Sequence, residues 1–258
     1  MKVSNKTNKD KLQVFLNPSK ATNPICDIAD RFMLDNKYSK AVAAYLSAII
    51  QSNSDIRPYV GASKAYKKLQ KYDKAIKNLE VAKGLSSFNS EIYYELGVNH
   101  LLSENSAQAR RNFIRTIRLD NENVNAQIQL ALSHELLDEP QMALSIYQKI
   151  IEEFPDLVTV YTHKAALYIS LQMYEEAIKT FLMLLDRNPK YYRANLGIGI
   201  CLDKLGKYAQ AIRYYKKYII KKPKSPTTRA LVSRICEMYE KGEILKNKHQ
   251  LKLVQPEN

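Results

Sequence analysis

The sequence predicts an all-α chain made of two-helix units stacked one on the next. An alanine recurs every 34 residues, at Ala41, Ala75, Ala109, Ala143, Ala177 and Ala211, with no insertion. Other columns keep the same beat. Four residues after each alanine stand Tyr45, Leu79, Phe113, Tyr147, Phe181 and Tyr215, all large; twelve before stand Ala29, Ser63, Gly97, Ala131, Ala165 and Gly199, all small. Twelve after stand the breakers Asn53, Ser87, Asn121, Pro155, Pro189 and Pro223. A fixed period of this length is the signature of a repeat architecture.

Each element of the unit follows from a column. The alanine and the large residues four and seven positions on share one helical face. The small residue twelve before lies on an earlier helix. Small residues on two facing helices let the axes approach, and the large residues fill the space beside them. The breaker ends the second helix, since a proline cannot continue one. The predicted unit is helix, turn, helix, turn. Six units are expected at about 24–55, 56–89, 90–123, 124–157, 158–191 and 192–225, within a repeat region 24–223. Residues 226–246 carry an apolar period with no aromatic second helix after it. They are read as the capping helix that an open stack needs. Residues 1–23 are polar and lysine-rich and read as a flexible tail, with an apolar island, Val14, Phe15 and Leu16, that either docks on the first repeat or serves as a short partner motif. Residues 247–258 read as a second flexible tail.

The columns resemble the tetratricopeptide repeat family, whose 34-residue unit orders small, aromatic, alanine, aromatic and proline positions in this way. The match is best in Ala165, Tyr168, Tyr174, Ala177, Phe181 and Pro189, then in Gly199, Tyr208, Ala211, Tyr215 and Pro223. Two departures are plain: the chain has no tryptophan, and its first three repeats lack the terminal proline. The resemblance implies a right-handed superhelical solenoid. It also implies protein–protein interaction, as an adaptor, scaffold or assembly factor, through a concave groove.

Composition bounds the alternatives. No run of 18 apolar residues exists and no secretory h-region, so the chain is expected to be cytoplasmic. Cys26, Cys201 and Cys236 lack metal or disulfide spacing and read as free thiols. The net charge of +14 is uneven: residues 1–90 carry 16 basic and 7 acidic side chains, 91–186 carry 7 and 14, and 187–258 carry 17 and 5. Basic ends around an acidic middle leave open nucleic-acid or anionic-membrane association through the ends, and self-association. The run RYYKKYIIKKPK (213–224) interleaves aromatics with cations, but Tyr215 and Tyr218 fall in core columns, which leaves Tyr214.

The candidate site is a groove. In the resembling family, residues 15, 11 and 8 before the alanine face it. Here these are Tyr94, Val98 and Leu101 in the third repeat, Ile128, Leu132 and Glu135 in the fourth, Thr162, Ala166 and Ile169 in the fifth, and Leu196, Ile200 and Asp203 in the sixth. They are largely apolar where a solvated face would be polar, which suits a peptide or amphipathic helix. Packing between repeats, or coverage by the C-terminal tail, is the competing reading. In the second repeat the columns hold Lys64 and Lys67, candidate contacts for an acidic ligand. The carboxylate clamp of chaperone-binding members is not supported, because no repeat has lysine at the first column or asparagine at the second. His100 and His134 share a column but are too few for a metal site, and His163 stands beside a groove column. No Gly-rich phosphate loop, GxSxG or HExxH occurs, so neither enzyme activity nor a cofactor is expected.

Overall fold

The computed structural model describes residues 23–240, which form thirteen α-helices and, among the described residues, no strand. The island at Val14–Leu16, residues 241–246 of the expected capping segment and the 247–258 tail lie outside the described residues. The helices are α1 (Pro24–Leu34), α2 (Tyr38–Gln51), α3 (Ile56–Lys68), α4 (Tyr72–Leu85), α5 (Ser90–Leu102), α6 (Ser106–Leu119), α7 (Val124–Leu136), α8 (Pro140–Glu153), α9 (Val158–Ser170), α10 (Tyr174–Arg187), α11 (Arg193–Lys204), α12 (Tyr208–Lys221) and α13 (Pro226–Glu240). They fall into two compact units: a first ending at Ala126 and a second starting at Gln127.

Each unit is a series of helix pairs built on the same columns. All six period alanines are fully buried, and the large residues four positions on are buried beside them. Tyr45, for example, packs with Cys26, Ala29, Ala41 and Ala62 in the first unit. The second helix of every pair has 14 residues and stops two residues before the breaker column, whether or not a proline stands there. Several of the following helices open on a side-chain cap. Where the breaker is Asn53 or Ser87, the next helix opens on a side-chain cap, Asp55 accepting from the Arg57 amide and Asn89 from the Glu91 amide. Asn123 accepts from the Ala126 amide in the same way. After Pro155 and Pro189 the following helix has no side-chain cap, whereas after Pro223 the Ser225 hydroxyl oxygen accepts from the Thr228 amide. The carbonyls of Asn53, Ser87 and Pro155 each accept from the hydroxyl of a tyrosine six residues on, Tyr59, Tyr93 and Tyr161.

The turn inside each pair also repeats. Asn36, Gln70, Glu104, Asp138 and Gln172 have φ of 58–61°, and Gly206, one period further, has 71°. This left-handed corner suits glycine and strains other side chains by about 1–2 kcal/mol. Gln70→Gly and Gln172→Gly are each expected to raise the urea midpoint, with a gain of about 1 kcal/mol; a fall in both would refute the strain.

Two buried thiols set an alkaline limit. Burial pushes Cys26 and Cys201 from 9.0 up to about 11, with neighbouring carboxylates raising them further and Arg57 opposing at Cys26. A folded-state value above the unfolded one means the stabilisation is intact below pH 9 and is lost as pH rises from 9 towards 11. Stability is expected to fall by up to about 1 kcal/mol per thiol by pH 10. Urea titrations of Cys26→Ala/Cys201→Ala should be flatter over that interval.

Candidate functional site

The groove columns carry different chemistry in the two units. In the first they are mixed: Asp30, Lys64 and Lys67 are charged, whereas Tyr94, Val98 and Leu101 are not. Arg57 on α3 bridges Asp27 and Asp30 on α1, at 2.7 Å to each, and those bonds hold its guanidinium above the ordinary range. Lys64 donates to Glu91 on α5 at 2.5 Å. Burial opposes the charge on Lys64, but the bond and charge of Glu91 outweigh it and hold the ammonium above its usual range. Lys67 donates to the buried Glu95 at 2.7 Å. Both lysines therefore have carboxylate partners from the next repeat, and an acidic ligand there would compete with Glu91 and Glu95. Tyr94, Val98 and Leu101 on α5 are half-buried; the Tyr94 ring lies 6.0 Å from that of Phe113.

In the second unit the face is apolar. Ala166 is exposed, Ile200 is 37% exposed, and Leu132, Ile169 and Leu196 are half-buried. Ile128 differs from the expectation: at 6% exposed it belongs to the core. Cys26 and Val60 of the same column are buried too, whereas Tyr94, Thr162 and Leu196 of that column are half-buried. Thr162 is half-buried and its hydroxyl donates to the Thr159 carbonyl.

Glu135 and Asp203 are structural acids. Glu135 accepts from the Tyr147 hydroxyl at 2.6 Å, and Asp203 accepts from Tyr215 at 3.3 Å. Burial first, and then the carboxylate, push both phenols above their usual range. Asp30 accepts from Tyr45 in the same way. Asp203 also receives two bonds from the Arg234 guanidinium on α13, at 2.8 and 2.9 Å, which ties α13 to α11. Sequence reasoning placed Glu135 and Asp203 in the groove and missed these pairs. The signal was available: an acid stands 8 or 11 residues before the alanine only in repeats whose large residue is tyrosine.

The histidines are packing groups. His134 pairs with Glu139 at 2.5 Å and is buried. Burial lowers the His100 imidazole. His163 stacks on Tyr147 at 6.0 Å and 10°. Lys164, nearly buried, donates to the Gln148 side chain at 2.5 Å, and its burial lowers the ammonium's affinity for its proton. Among the described residues no three acids, histidines or cysteines are grouped to hold a metal ion, and no helix is long and apolar enough to cross a membrane.

Comparison with known proteins follows the same period. Models of the tetratricopeptide repeat match residues 56–88, 125–157 and 164–226, together half of the chain. A BBSome complex member, BBS4, of Bos taurus is 26% identical over 148 residues, 57% of this chain and 28% of that protein. The match thus spans less than a third of that relative's length. The crystal structure of the C-terminal part of a repeat-containing protein from Cytophaga hutchinsonii aligns over 89% of this chain and 92% of that one, at 17% identity and a TM-score of 0.75. YrrB, described as a TPR protein with an unusual peptide-binding site, aligns over 70% and 93% at 20% identity, with a TM-score of 0.55. With the unbroken columns, the helix pairs built on them and these matches, the chain belongs to the tetratricopeptide repeat family.

Proposed function

We propose that this chain binds another protein through the first-helix face of its second unit, where an extended apolar peptide or one side of an amphipathic helix docks. The observation that carries the reading is the run of Leu132, Ala166, Ile169, Leu196 and Ile200, apolar and at least partly open to solvent on successive first helices. Exposed apolar surface of this kind marks interaction sites. The acids of these columns are already bonded to Tyr147, Tyr215 and Arg234, so they do not make the face polar. Family membership supports protein binding in general, and YrrB is a member described as having a peptide-binding site. A face built on helices needs little reordering to receive a ligand, which favours affinity. Tyr94, Val98 and Leu101 offer a smaller patch of the same character in the first unit. An adaptor or assembly role is the biological form this activity would take.

Ala166→Glu with Ile200→Glu tests the reading, because both positions are exposed. Unfolding should change by no more than about 0.5 kcal/mol per site. Peptides selected from a displayed library on the wild-type chain should bind the double variant at least about tenfold more weakly, as expected for charge set against apolar side chains. Peptides held equally by both proteins would place the site elsewhere.

A further inference from the structure

We propose a second binding site on this chain, a lysine-rimmed pocket in the second unit that takes an acidic peptide segment carrying one large apolar side chain. The pocket has a volume of about 560 Å³. Leu185, Pro189, Tyr192 and Ile220 form its apolar lining, and Lys190, Lys217 and Lys221 supply the charges. None of these residues lies in a groove column, so the site is separate from the face described above. The pocket lies where α10 ends, α11 begins and the last turns of α12 pass.

Its charge is one-sided. Every ionisable lining residue except Tyr192 is a lysine, and no carboxylate of the described residues forms an ion pair with these three. The paired lysines of the first unit, Lys64 and Lys67, are the contrast. The helix dipole accounts for Lys221, in the last turn of α12. It does not account for Lys190, which lies outside both helices, or for Lys217, whose ammonium sits 4.7 Å from the centre of the Tyr214 ring. Lys222 adds a further cation 5.9 Å from the centre of the Tyr192 ring. Ile220 is 74% exposed in the midst of these charges. Carboxylates complement the cations, and the apolar lining calls for a side chain that reaches between them. A recess formed largely by leucine, proline and isoleucine suits a single inserted aliphatic or aromatic group. A flat bilayer surface would not fill it, and the one aromatic ring of the lining, Tyr192, already packs on Tyr218 with ring centres 5.8 Å apart, which leaves a single partly engaged platform where nucleic-acid sites use several.

The probe is a fluorescein-labelled peptide of six alternating acidic residues around a central leucine, read by anisotropy in about 0.1 M salt, where charges within a Debye length of about 10 Å still interact. Wild-type protein should bind it. Lys217→Glu/Lys221→Glu, at exposed positions, should bind at least about tenfold more weakly with an unchanged circular dichroism spectrum. A probe with glycine for leucine should also lose about tenfold, as burial of one such side chain implies. Ala166→Glu/Ile200→Glu should bind the probe as wild type does, so failure here and failure of the groove are separable. Phosphatidylserine vesicles and a 20-nucleotide oligothymidylate are the competing ligands. Equal binding of the leucine and glycine probes, no binding of either, or lysine-dependent binding of vesicles or oligonucleotide alone would each overturn the proposal.

Discussion

Replacing Tyr147 by alanine is expected to cost about 3–5 kcal/mol, the range for deleting a fully buried aromatic ring. Three contacts converge on that ring. It is fully buried beside Ala143, it stacks on His163 of the next helix pair, and its hydroxyl donates to Glu135 of its own pair. Alanine would leave a cavity, an unstacked histidine and a half-buried carboxylate without its donor. Tyr147→Phe separates the terms. It keeps the ring and removes only the hydrogen bond to a carboxylate, for which about 1.5–3 kcal/mol is expected. Urea unfolding followed by circular dichroism measures both. An alanine variant within 1 kcal/mol of wild type would mean that the ring is not the support described.

The second large effect is steric. A side chain begun at Gly97 would place its first carbon 2.5 Å from Cε1 of Phe113. Neither partner has room to yield, since Phe113 is fully buried. Gly97→Ala combines that overlap with the roughly 1 kcal/mol that alanine gains over glycine in a helix. A net loss of about 1–2 kcal/mol is expected. Gly97→Leu adds three more carbons and should cost about 3 kcal/mol or more. Gly84, with nothing within 4 Å of such a carbon, is the control, and Gly84→Ala should stabilise slightly. Thermal unfolding of the three variants gives the order. Combining Gly97→Ala with Phe113→Leu should recover part of the loss, because the two positions touch.

The helix pairs were legible because one column, the alanine, tolerates no larger side chain, so every other position could be counted from it. The environment of the expected groove columns was legible only in part. An offset names a face of a helix; it does not say what else reaches that face. Ile128 sits in a groove column and packs inward. Lys64 and Lys67 look like open cations, yet their carboxylates stand 27 and 28 residues away in the next repeat. Such a separation has no local signature. The tyrosine–carboxylate pairs were readable by comparing columns. Asp30, Glu135 and Asp203 accompany Tyr45, Tyr147 and Tyr215, whereas Leu79, Phe113 and Phe181 have no acid at either offset. The lysine pocket was half-visible as the basic run at 213–224. Only folding brings Leu185, Pro189, Lys190 and Tyr192 to it.

Two kinds of contact around the large residue differ in what they join. The hydroxyl–carboxylate bonds close within a repeat, so each would travel with its repeat in a gene duplication. Two of the glycine contacts cross a boundary instead, unlike Gly97 on Phe113 and Gly199 on Tyr215, which stay within a repeat: Gly61 faces Tyr45, and Gly197 faces Phe181, each from the following repeat. At the same position the third repeat carries Glu95 and the fifth carries His163. Moving the third repeat directly behind the first would set a glutamate against a tyrosine ring that now rests on a bare backbone. The repeats share an architecture, but their order along the chain is recorded at these seams, and shuffled arrays should fold only where each seam again receives a residue small or flat enough for its ring.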